Sequence, residues 1–507
     1  MIDANGNIVV DGAAPTGIKL ALKNDGVAET DTLGVKFYST DPTTTTEALA
    51  DVQIGTTNSA TIEDNTPPNP NTFGSISPLA LFGSGSDDTP GSSCAHNGGI
   101  YLIAKLQGQL AVIKTDFQGT RQWTKVPSPT GFLAGATTVG GVCTDGTNIF
   151  AAGKTDNNDD FSSLTSTLVS YTSSGSIRWR QDEARIEYMD VKQRNGVLYV
   201  CGRTFKGSEN NTVSLGGGDI FVQARDANTG NLLWTKSYGS AGANEWAYRL
   251  GVSENGISLA INSDGNFEGV GNPGIYSGYA GLLDYSGSVK WWKSFGVGDY
   301  DGISTVTDYQ GLVIAGGYKA YGSDRGQAFI TALNAQTGAT VWSTEWGDGN
   351  FHYVDDAKVV NGVLYVSVGG NAPHNSASGT SIIVLAINPE SGQILQTASY
   401  DAANANDNPS SLFTGNGQLF LAGTTYGSIA TAINSGGSDI LLAAVDGVTY
   451  SIGRAPTNLS LSSTGISENS TASTLIGTLS ATDPDSGTVF TYAVASGSGD
   501  TDNNLVE

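Results

Sequence analysis

The sequence predicts an all-β fold, a seven-bladed β-propeller followed by a partial β-sandwich, and three observations lead to this prediction. A turn followed by a short apolar run recurs seven times along the chain. A second hairpin, which carries a tryptophan in most copies, follows each of these turns. A stretch near the N-terminus resembles the one strand that the last copy lacks. Because two hairpins supply four strands, each repeat predicts one four-stranded blade.

The first element of each repeat is a turn that ends in glycine, most often Asn-Gly or Asp-Gly. These dipeptides favour tight hairpins because both central residues accept positive φ. The steps between the glycines are 48, 50, 60, 55, 51 and 55 residues, a spacing that indicates one supersecondary unit per repeat. The seven glycines are Gly98, Gly146, Gly196, Gly256, Gly311, Gly362 and Gly417.

The second element is an apolar strand, a turn and a strand that carries tryptophan. The tryptophans are placed at Trp123, Trp179, Trp234, Trp292 and Trp342, with Leu395 in the sixth place. The seventh copy starts at Asp439 and lacks this last strand. No segment of ten or more residues repeats with the helical period of 3.6. A stacked solenoid is the alternative repeat architecture, and the propeller is preferred because the two ends of the repeat region complement each other.

The ends of the repeat region share one short signature. An aromatic residue followed by glycine comes after the tryptophan strand in most copies, as in Tyr238-Gly239 and Trp346-Gly347. The same pair, Phe82-Gly83, stands before the first complete repeat. We therefore expect Ile76–Phe82 to be the outer strand of the seventh blade, which would close the ring and leave it without a free sheet edge.

These motifs resemble known repeat families. Residues 215–239 are similar to the bacterial seven-bladed propeller repeat (SBBP-type), and the resemblance extends over roughly 70–453. The turns Asp226–Gly230 and Asn334–Gly338, each followed by tryptophan, also resemble the repeat of quinoprotein dehydrogenases. The shared residues form a structural turn and a tryptophan that docks between blades, so the resemblance implies the fold and not a chemistry.

After Gly453 the composition shifts to Ser, Thr and acidic residues, and residues 454–507 resemble the N-terminal half of a bacterial cadherin-like domain. The resemblance implies Ca²⁺ binding. This ion takes six to eight oxygen ligands, and closely spaced carboxylates supply several of them in one place. The matching positions are Glu468, Asp483, Asp485 and, as a further candidate, Asp502. The alternative is that these acids are solvated loop residues. Residues 1–69 are expected to form an irregular or β-containing segment with a linker.

The charge composition limits the classes of molecule that the chain can bind. The chain has 48 acidic and 24 basic residues, for a formal charge of −24. Such a chain repels nucleic acid and anionic lipid. No apolar run has the length of a transmembrane helix, and the polar start Met1–Asn7 does not read as a secretory signal. We expect an extracellular or cell-surface location reached without an N-terminal signal peptide.

No catalytic motif stands out. The cysteines Cys94, Cys143 and Cys201 are never adjacent, unlike the pair often found in quinoprotein enzymes. Cys94 and Cys143 hold nearly equivalent repeat positions, and free buried thiols on neighbouring inner strands are favoured over a disulfide. The three histidines lack zinc-ligand spacing.

The clustered acidic residues and the tyrosines near turns each allow a functional and a structural interpretation. Clustered acids could serve glycoside hydrolysis at a defined separation, or could be loop acids that keep the surface soluble. They are Asp156, Asp159 and Asp160, Asp299 and Asp301, and Asp355 and Asp356. Tyrosines near turns could form a docking face for glycan or protein, or could pack within blades. They are Tyr276, Tyr279, Tyr300 and Tyr321.

The sequence thus predicts a non-enzymatic binding or adhesion protein of the bacterial cell surface, membrane-associated or secreted, which takes a protein or glycan ligand and binds Ca²⁺ in its tail. One alternative is an extracellular polysaccharide-acting enzyme whose propeller is the catalytic body. Another is a structural spacer in a surface fibre. Carboxylates that converge at the propeller axis with shifted pKa values would favour the enzyme.

Overall fold

The computed structural model describes residues 33–38, 48–54, 60–61, 75–96, 98–127, 139–156, 164–205, 217–271, 275–296, 300–320, 326–347, 351–370, 380–402, 405–449, 457–461 and 479–482. The chain divides into two compact units. One comprises Met1–Pro67 and Tyr450–Glu507, and the other comprises Pro68–Thr449. Within the described residues no helix has the length and apolar character needed to cross a membrane.

The smaller unit contains short antiparallel strands. Strands β1 (Leu33–Tyr38), β2 (Ala48–Ile54) and β3 (Ala60–Thr61) form a sheet in that order. Towards the other end of the chain, Thr457–Leu461 pairs with Leu479–Thr482. The four predicted calcium ligands, Glu468, Asp483, Asp485 and Asp502, lie outside the described residues.

The larger unit is a ring of seven four-stranded antiparallel blades. After β4 (Ser75–Phe82), blade 1 contains β5 (Thr89–His96), β6 (Gly99–Leu106), β7 (Gln109–Thr115) and β8 (Arg121–Lys125). Blade 2 contains β9 (Gly141–Thr144), β10 (Asn148–Asp156), β11 (Thr165–Thr172) and β12 (Ile177–Ala184). Blade 3 contains β13 (Ile186–Arg194), β14 (Val197–Thr204), β15 (Ile220–Asp226) and β16 (Leu232–Tyr238). Blade 4 contains β17 (Glu245–Ser253), β18 (Gly256–Ser263), β19 (Ser277–Leu283) and β20 (Val289–Ser294).

Blade 5 contains β21 (Asp301–Tyr309), β22 (Leu312–Ala320), β23 (Gly326–Asn334) and β24 (Thr340–Trp346). Blade 6 contains β25 (His352–Val360), β26 (Val363–Gly370), β27 (Ile382–Ile387) and β28 (Ile394–Tyr400). Blade 7 contains β29 (Asp407–Gly415), β30 (Gln418–Thr425) and β31 (Asp439–Thr449), and β4 completes it. Two further strands of the chain are β32 (Thr457–Leu461) and β33 (Leu479–Thr482).

The ring closes as the sequence predicts. Strand β4 pairs antiparallel with β31, and Phe82 lies opposite Ile440. Phe82 packs into an apolar cluster that joins blade 7 to blade 1 and includes Ile100 and Phe420. The seven-bladed propeller is therefore confirmed, with its first strand latched into its last blade.

The aromatic-Gly signature has a steric origin. A side chain at Gly239 would overlap the carboxylate of Asp219, which lies at the start of the third strand of blade 3. Gly83 stands in the same relation to Asp439 of blade 7. The glycine that follows the outer strand makes room for a buried aspartate, and the closure between β4 and β31 reproduces this contact across the two ends of the propeller.

Burial explains the sequence pattern of each strand. The second and third strands lie between neighbouring blades, and every residue of β18, β19 and β26 is buried. These strands therefore read as continuous apolar or small-residue runs. The outer strand β24 has a largely exposed, mixed pattern. At three of the predicted Asn-Gly hairpins, those of Asn195, Asn361 and Asn416, both central residues have positive φ, for example 51° at Asn195 and 78° at Gly196.

The tryptophans dock between blades, with two corrections to the predicted positions. The indole of Trp342 donates to the carbonyl of Pro389 in the next blade at 2.8 Å. In blade 4 the equivalent residue is Trp291, which donates to Ala335 at 2.9 Å, so the placement at Trp292 was wrong. In blade 6 the register puts Gln396, and not Leu395, opposite Ala386 at this site. Trp291 and Gln396 both stand four positions after the turn glycine, Gly287 or Gly392, as the tryptophans of the other blades do, and a count from one tryptophan to the next misses this equivalence.

Candidate functional site

The first strands of the seven blades contact one another in sequence around the axis. In six of these strands the pairing register shifts near the start, because the strand contains at least one extra residue. In blade 2 the corresponding residue directly precedes β9. One residue from each blade thereby reaches the wall of an axial cavity of about 290 Å³. The seven residues are Gly91, Gly140, Met189, Tyr248, Ser304, Asp355 and Ser410. We call this space the upper cavity.

The residue that follows the bulge serves a different purpose, which is to join neighbouring blades. The hydroxyl of Ser92 accepts the backbone N–H of Val142 at 2.8 Å. The carboxylate of Asp356 accepts the backbone N–H of Leu412 at 2.9 Å. Asp190 bonds Leu250 in the same way at 3.2 Å. In these three blades one residue therefore lines the upper cavity, and the next residue of the strand bonds the neighbouring blade.

Asp355 is the acidic group of the upper cavity. Its Oδ2 atom is buried and has no hydrogen-bond partner among the described residues. Burial raises the pKa of this carboxyl to about 8, while the nearby Arg249 guanidinium lowers the pKa and Asp356 raises it further. Asp355 therefore holds its proton at neutral pH and presents a carboxylic acid to the cavity.

Arg249 supplies the positive charge. It comes from β17 of blade 4, and its Nη2 donates to the carbonyl oxygen of Ser410 in blade 7 at 3.0 Å. This bond crosses the axis, so the guanidinium forms part of the floor of the upper cavity. Arg249 is fixed at one end by a backbone acceptor and faces Asp355 from within the same cavity.

Tyrosines form one side of the entrance. Tyr248, Tyr276 and Tyr318 line the upper cavity together with Asn262. Burial raises the pKa of Tyr318 to about 12 and that of Tyr276 further, with an added contribution from Tyr248 in each case. The phenols are therefore neutral and act as hydrogen-bonding groups on flat apolar rings.

The aromatic wall continues outward from the tyrosines. The ring of Trp246 lies 5.8 Å from that of Tyr276, and the guanidinium of Arg203 lies 4.5 Å from the Trp246 ring. Tyr300, on the approach to blade 5, is 54% exposed. A concave site with aromatic faces and a few converging polar groups is typical of small polar ligands such as sugars.

The structure separates the acid clusters named from the sequence. Asp355 and Asp356 are neighbours in the chain but face different surroundings, the cavity in one case and blade 7 in the other. Asp301 is buried and accepts the backbone N–H of Ala320 at 3.0 Å. The remaining named acids are Asp156, whose side chain is not described, and Asp159, Asp160 and Asp299, which lie outside the described residues.

The tyrosines and cysteines also have distinct outcomes. Tyr279 is fully buried and packs against Phe267. Tyr276 lines the upper cavity, and the exposed Tyr300 forms a β-bridge with it. Tyr321 lies outside the described residues. Cys94 and Cys143 are free thiols on β5 and β9, as predicted, although Cys94 is half-buried and not buried. Cys201 is a buried free thiol on β14.

Three of these groups could not be singled out from the sequence. Arg249, Tyr248 and Asn262 stand in no recognised motif, and only the bulge and the ring geometry bring them together. A repeat alignment that places the inserted residue of each first strand in one column would mark Tyr248 and Asp355 as equivalent.

Comparison with protein families gives one match. Residues 216–498 match the PQQ_2 family, described as outer membrane protein assembly factor BamB. Among curated proteins no match is found.

Solved structures with a similar fold include quinohaemoprotein alcohol dehydrogenases. That of Comamonas testosteroni is 11% identical with a TM-score of 0.39, and the alignment covers 85% of this chain and 76% of the enzyme. That of Pseudomonas putida HK5 is 10% identical with a TM-score of 0.36, covering 84% and 77%. A subtype N10 neuraminidase-like protein of a little yellow-shouldered bat virus is 10% identical with a TM-score of 0.34, covering 73% and 99%.

These comparisons correct one prediction. The comparisons, in which quinohaemoprotein alcohol dehydrogenases appear beside the BamB family, contradict the expectation that the chain is not an enzyme. At 10–11% identity the likeness concerns the fold. The residues at the axis must therefore decide which chemistry is available.

Those residues do not fit the quinone cofactor that the family symbol names. Pyrroloquinoline quinone carries three carboxylates, and a site for it needs several cationic or strong donor groups. Among the described residues the upper cavity offers one guanidinium, Arg249, opposite the carboxyl of Asp355. One guanidinium cannot pair with three carboxylates, and a buried carboxylate without a partner is costly, so no quinone step is derived for this chain.

Proposed function

We propose, given that this chain belongs to the PQQ_2 family of outer membrane protein assembly factor BamB, that its propeller binds a glycan at the upper cavity. The observation that carries the proposal is the unpartnered Oδ2 of Asp355, held beside Arg249 in a cavity walled by tyrosines. A sugar hydroxyl would supply the missing partner, because it can both donate and accept hydrogen bonds.

The size and chemistry of the cavity support a single sugar unit as the ligand. A volume of about 290 Å³ is close to the lower limit of small-ligand pockets, which begin at about 300 Å³. The rings of Tyr248 and Tyr276 offer apolar faces to the C–H side of a sugar, and Asn262 and Arg249 offer polar atoms. Further sugar units would pass Trp246 and Tyr300 towards solvent.

A glycan array followed by calorimetry tests this proposal. We expect Asp355→Ala and Tyr276→Ala each to weaken the binding of the selected oligosaccharide about tenfold or more, since each removes a cavity-lining group worth about 1.5–3 kcal/mol. The control is Tyr426→Ala, which removes a tyrosine that is 50% exposed on blade 7 and does not line the cavity. Equal losses in all three variants, or no ligand on the array, would contradict the proposal.

Glycoside hydrolysis is a second candidate, and Asp355 is the observation that favours it. A carboxyl that stays protonated at neutral pH can protonate a glycosidic oxygen as a general acid. Turnover of aryl glycosides that disappears in Asp355→Asn, and that declines above pH about 8 in the unaltered protein, would support it. Binding of the sugar with no measurable turnover would leave the binding function alone.

The cell-surface role and the calcium site of the cadherin-like tail also stay proposals. Residues Glu468, Asp483, Asp485 and Asp502 would supply the oxygens that Ca²⁺ requires. Thermal melting in Ca²⁺ and in chelator, compared with the variant Asp483→Asn/Asp485→Asn, tests this site. An identical melting curve in all conditions would remove the calcium proposal.

A further inference from the structure

The lower half of the axial channel contains a second cavity, of about 400 Å³. It is formed by the far ends of the same first strands, and we call it the lower cavity. Lys192 and Lys358, from blades 3 and 6, reach into it together with Ser93, Cys94 and Cys143. In a chain with a formal charge of −24, two ammonium groups at the axis need an explanation.

Acidic groups also line the lower cavity, but their oxygens are already used. Asp190 binds Lys192 Nζ at 2.7 and 2.8 Å and accepts the N–H of Leu250. Asp356 accepts Thr305 Oγ1 at 3.0 Å and the N–H of Leu412 at 2.9 Å.

The third acid, Asp308, is similarly engaged. It accepts the hydroxyls of Ser253 and Ser258, both at 2.9 Å. All three carboxylates therefore face donors of the protein, and each has a structural task at the wall of the cavity.

Lys358 is the group whose charge is not used. It makes no hydrogen bond and no ion pair within 4 Å among the described residues. Burial lowers the pKa of Lys358, Asp356 raises it, and the facing Lys192 lowers it again. Two ammonium groups that repel each other across a cavity would both be stabilised by an anion between them.

The neutral groups of the lower cavity agree with an anionic ligand. Ser93 is 9% exposed, and its hydroxyl has no hydrogen-bond partner within the part of the chain that the structure describes. It is a buried donor that lacks an acceptor. Burial raises the pKa of Cys94 to about 12 and that of Cys143 well above its ordinary value. Both thiols therefore stay neutral and do not repel an anion.

We propose that the lower cavity binds a small oxyanion, of the phosphate or sulfate class, between Lys358 and Lys192 with Ser93 as a neutral donor. Oxyanions accept several charge-assisted hydrogen bonds at once, which matches this set of donors. The site is separate from the upper cavity apart from Arg249, which lines both. The inference therefore does not depend on glycan binding.

Calorimetry of the full chain with inorganic phosphate, at constant ionic strength and without glycan, tests this site. We expect saturable binding with one phosphate per chain, and a loss of about tenfold or more in Lys358→Met, because a charge-assisted bond is removed. Ser93→Ala should weaken binding about threefold, and Lys358→Arg should retain most of it.

The matched control is Lys236→Met, which removes an exposed lysine on the outer strand of blade 3. Its phosphate affinity should equal that of the unaltered chain. Unaltered protein that takes up no phosphate or sulfate, or equal losses in Lys236→Met and Lys358→Met, would overturn the proposal. If Lys358→Met melts at a lower temperature, Ser93→Ala and Lys358→Arg decide the question on their own.

Discussion

The pairing of β4 with blade 7 predicts that truncation of Phe82, at the end of β4, lowers the stability of the propeller strongly. Phe82 is 5% exposed and belongs to the apolar cluster between blades 7 and 1, with Ile100, Phe413 and Phe420. Truncation to alanine would leave a cavity in a cluster whose other members are held by sheet hydrogen bonds. We therefore expect Phe82→Ala to lower the free energy of unfolding by about 3–5 kcal/mol.

Urea unfolding followed by tryptophan fluorescence measures this change. The control is Leu233→Ala on β16, where the side chain is 55% exposed and the loss should be below about 0.5 kcal/mol. A comparable small loss in both variants would refute the assignment of β4 as the outer strand of blade 7. A selective loss at Phe82, with the β-sheet signal retained in native buffer, would support it.

Three further predictions address packing, charge and blade contacts. Gly83→Ala should destabilise the propeller, because the new methyl group meets the Asp439 carboxylate. The control Gly85→Ala, whose methyl group meets no atom within 4 Å, should unfold at the same urea midpoint as the unaltered protein. Equal midpoints for the two variants would contradict the steric account. Burial, with a contribution from Asp219, raises the pKa of Glu245 from 4.5 to about 8, so its stabilising effect is complete below pH 4.5 and is lost as the pH rises through about 8. Glu245→Gln should therefore flatten the decline in unfolding free energy between pH 5 and 8, and an unchanged slope would exclude Glu245 as its source. Asp356→Ala should lower the free energy of unfolding by about 1–3 kcal/mol, because the buried N–H of Leu412 loses its acceptor. Asp284→Ala, in an exposed turn, should lower it by less. The reverse order in urea unfolding would show that the bond to Leu412 does not hold the blades together.

The fold could be predicted from the sequence because its repeating signals are local. Asn-Gly turns such as Asn361-Gly362 supply residues that accept the positive φ of a tight hairpin, and the Phe82-Gly83 pair marks an outer strand without reference to any distant residue. The wrong choice of Trp292 over Trp291 arose because the steps between successive tryptophans fit either residue. The distance from the turn glycine separates them, since Gly287 precedes Trp291 by four residues, as Gly230 precedes Trp234.

The candidate site was harder to predict because it depends on register and not on composition. Asp355 and Asp356 read as one acidic pair in the sequence, yet a single extra residue in β25 turns one of them to the axis and the other to blade 7. Arg249 and Lys358 belong to blades 4 and 6, and nothing in their neighbouring residues indicates that they share a channel. That these side chains lie near one another becomes visible only in the folded propeller.

The inserted residue near the start of each inner strand has an evolutionary consequence. The residue after it bonds the neighbouring blade in blades 1, 3 and 6, so the inserted residue is not needed for that contact there. Four of these positions, Met189, Tyr248, Ser304 and Asp355, can change side chains one at a time while the ring stays closed. A side chain at Gly91 or Gly140 would overlap backbone atoms, and Ser410 bonds blade 1 through its hydroxyl. A scaffold of this kind can acquire a new ligand by altering its hub alone.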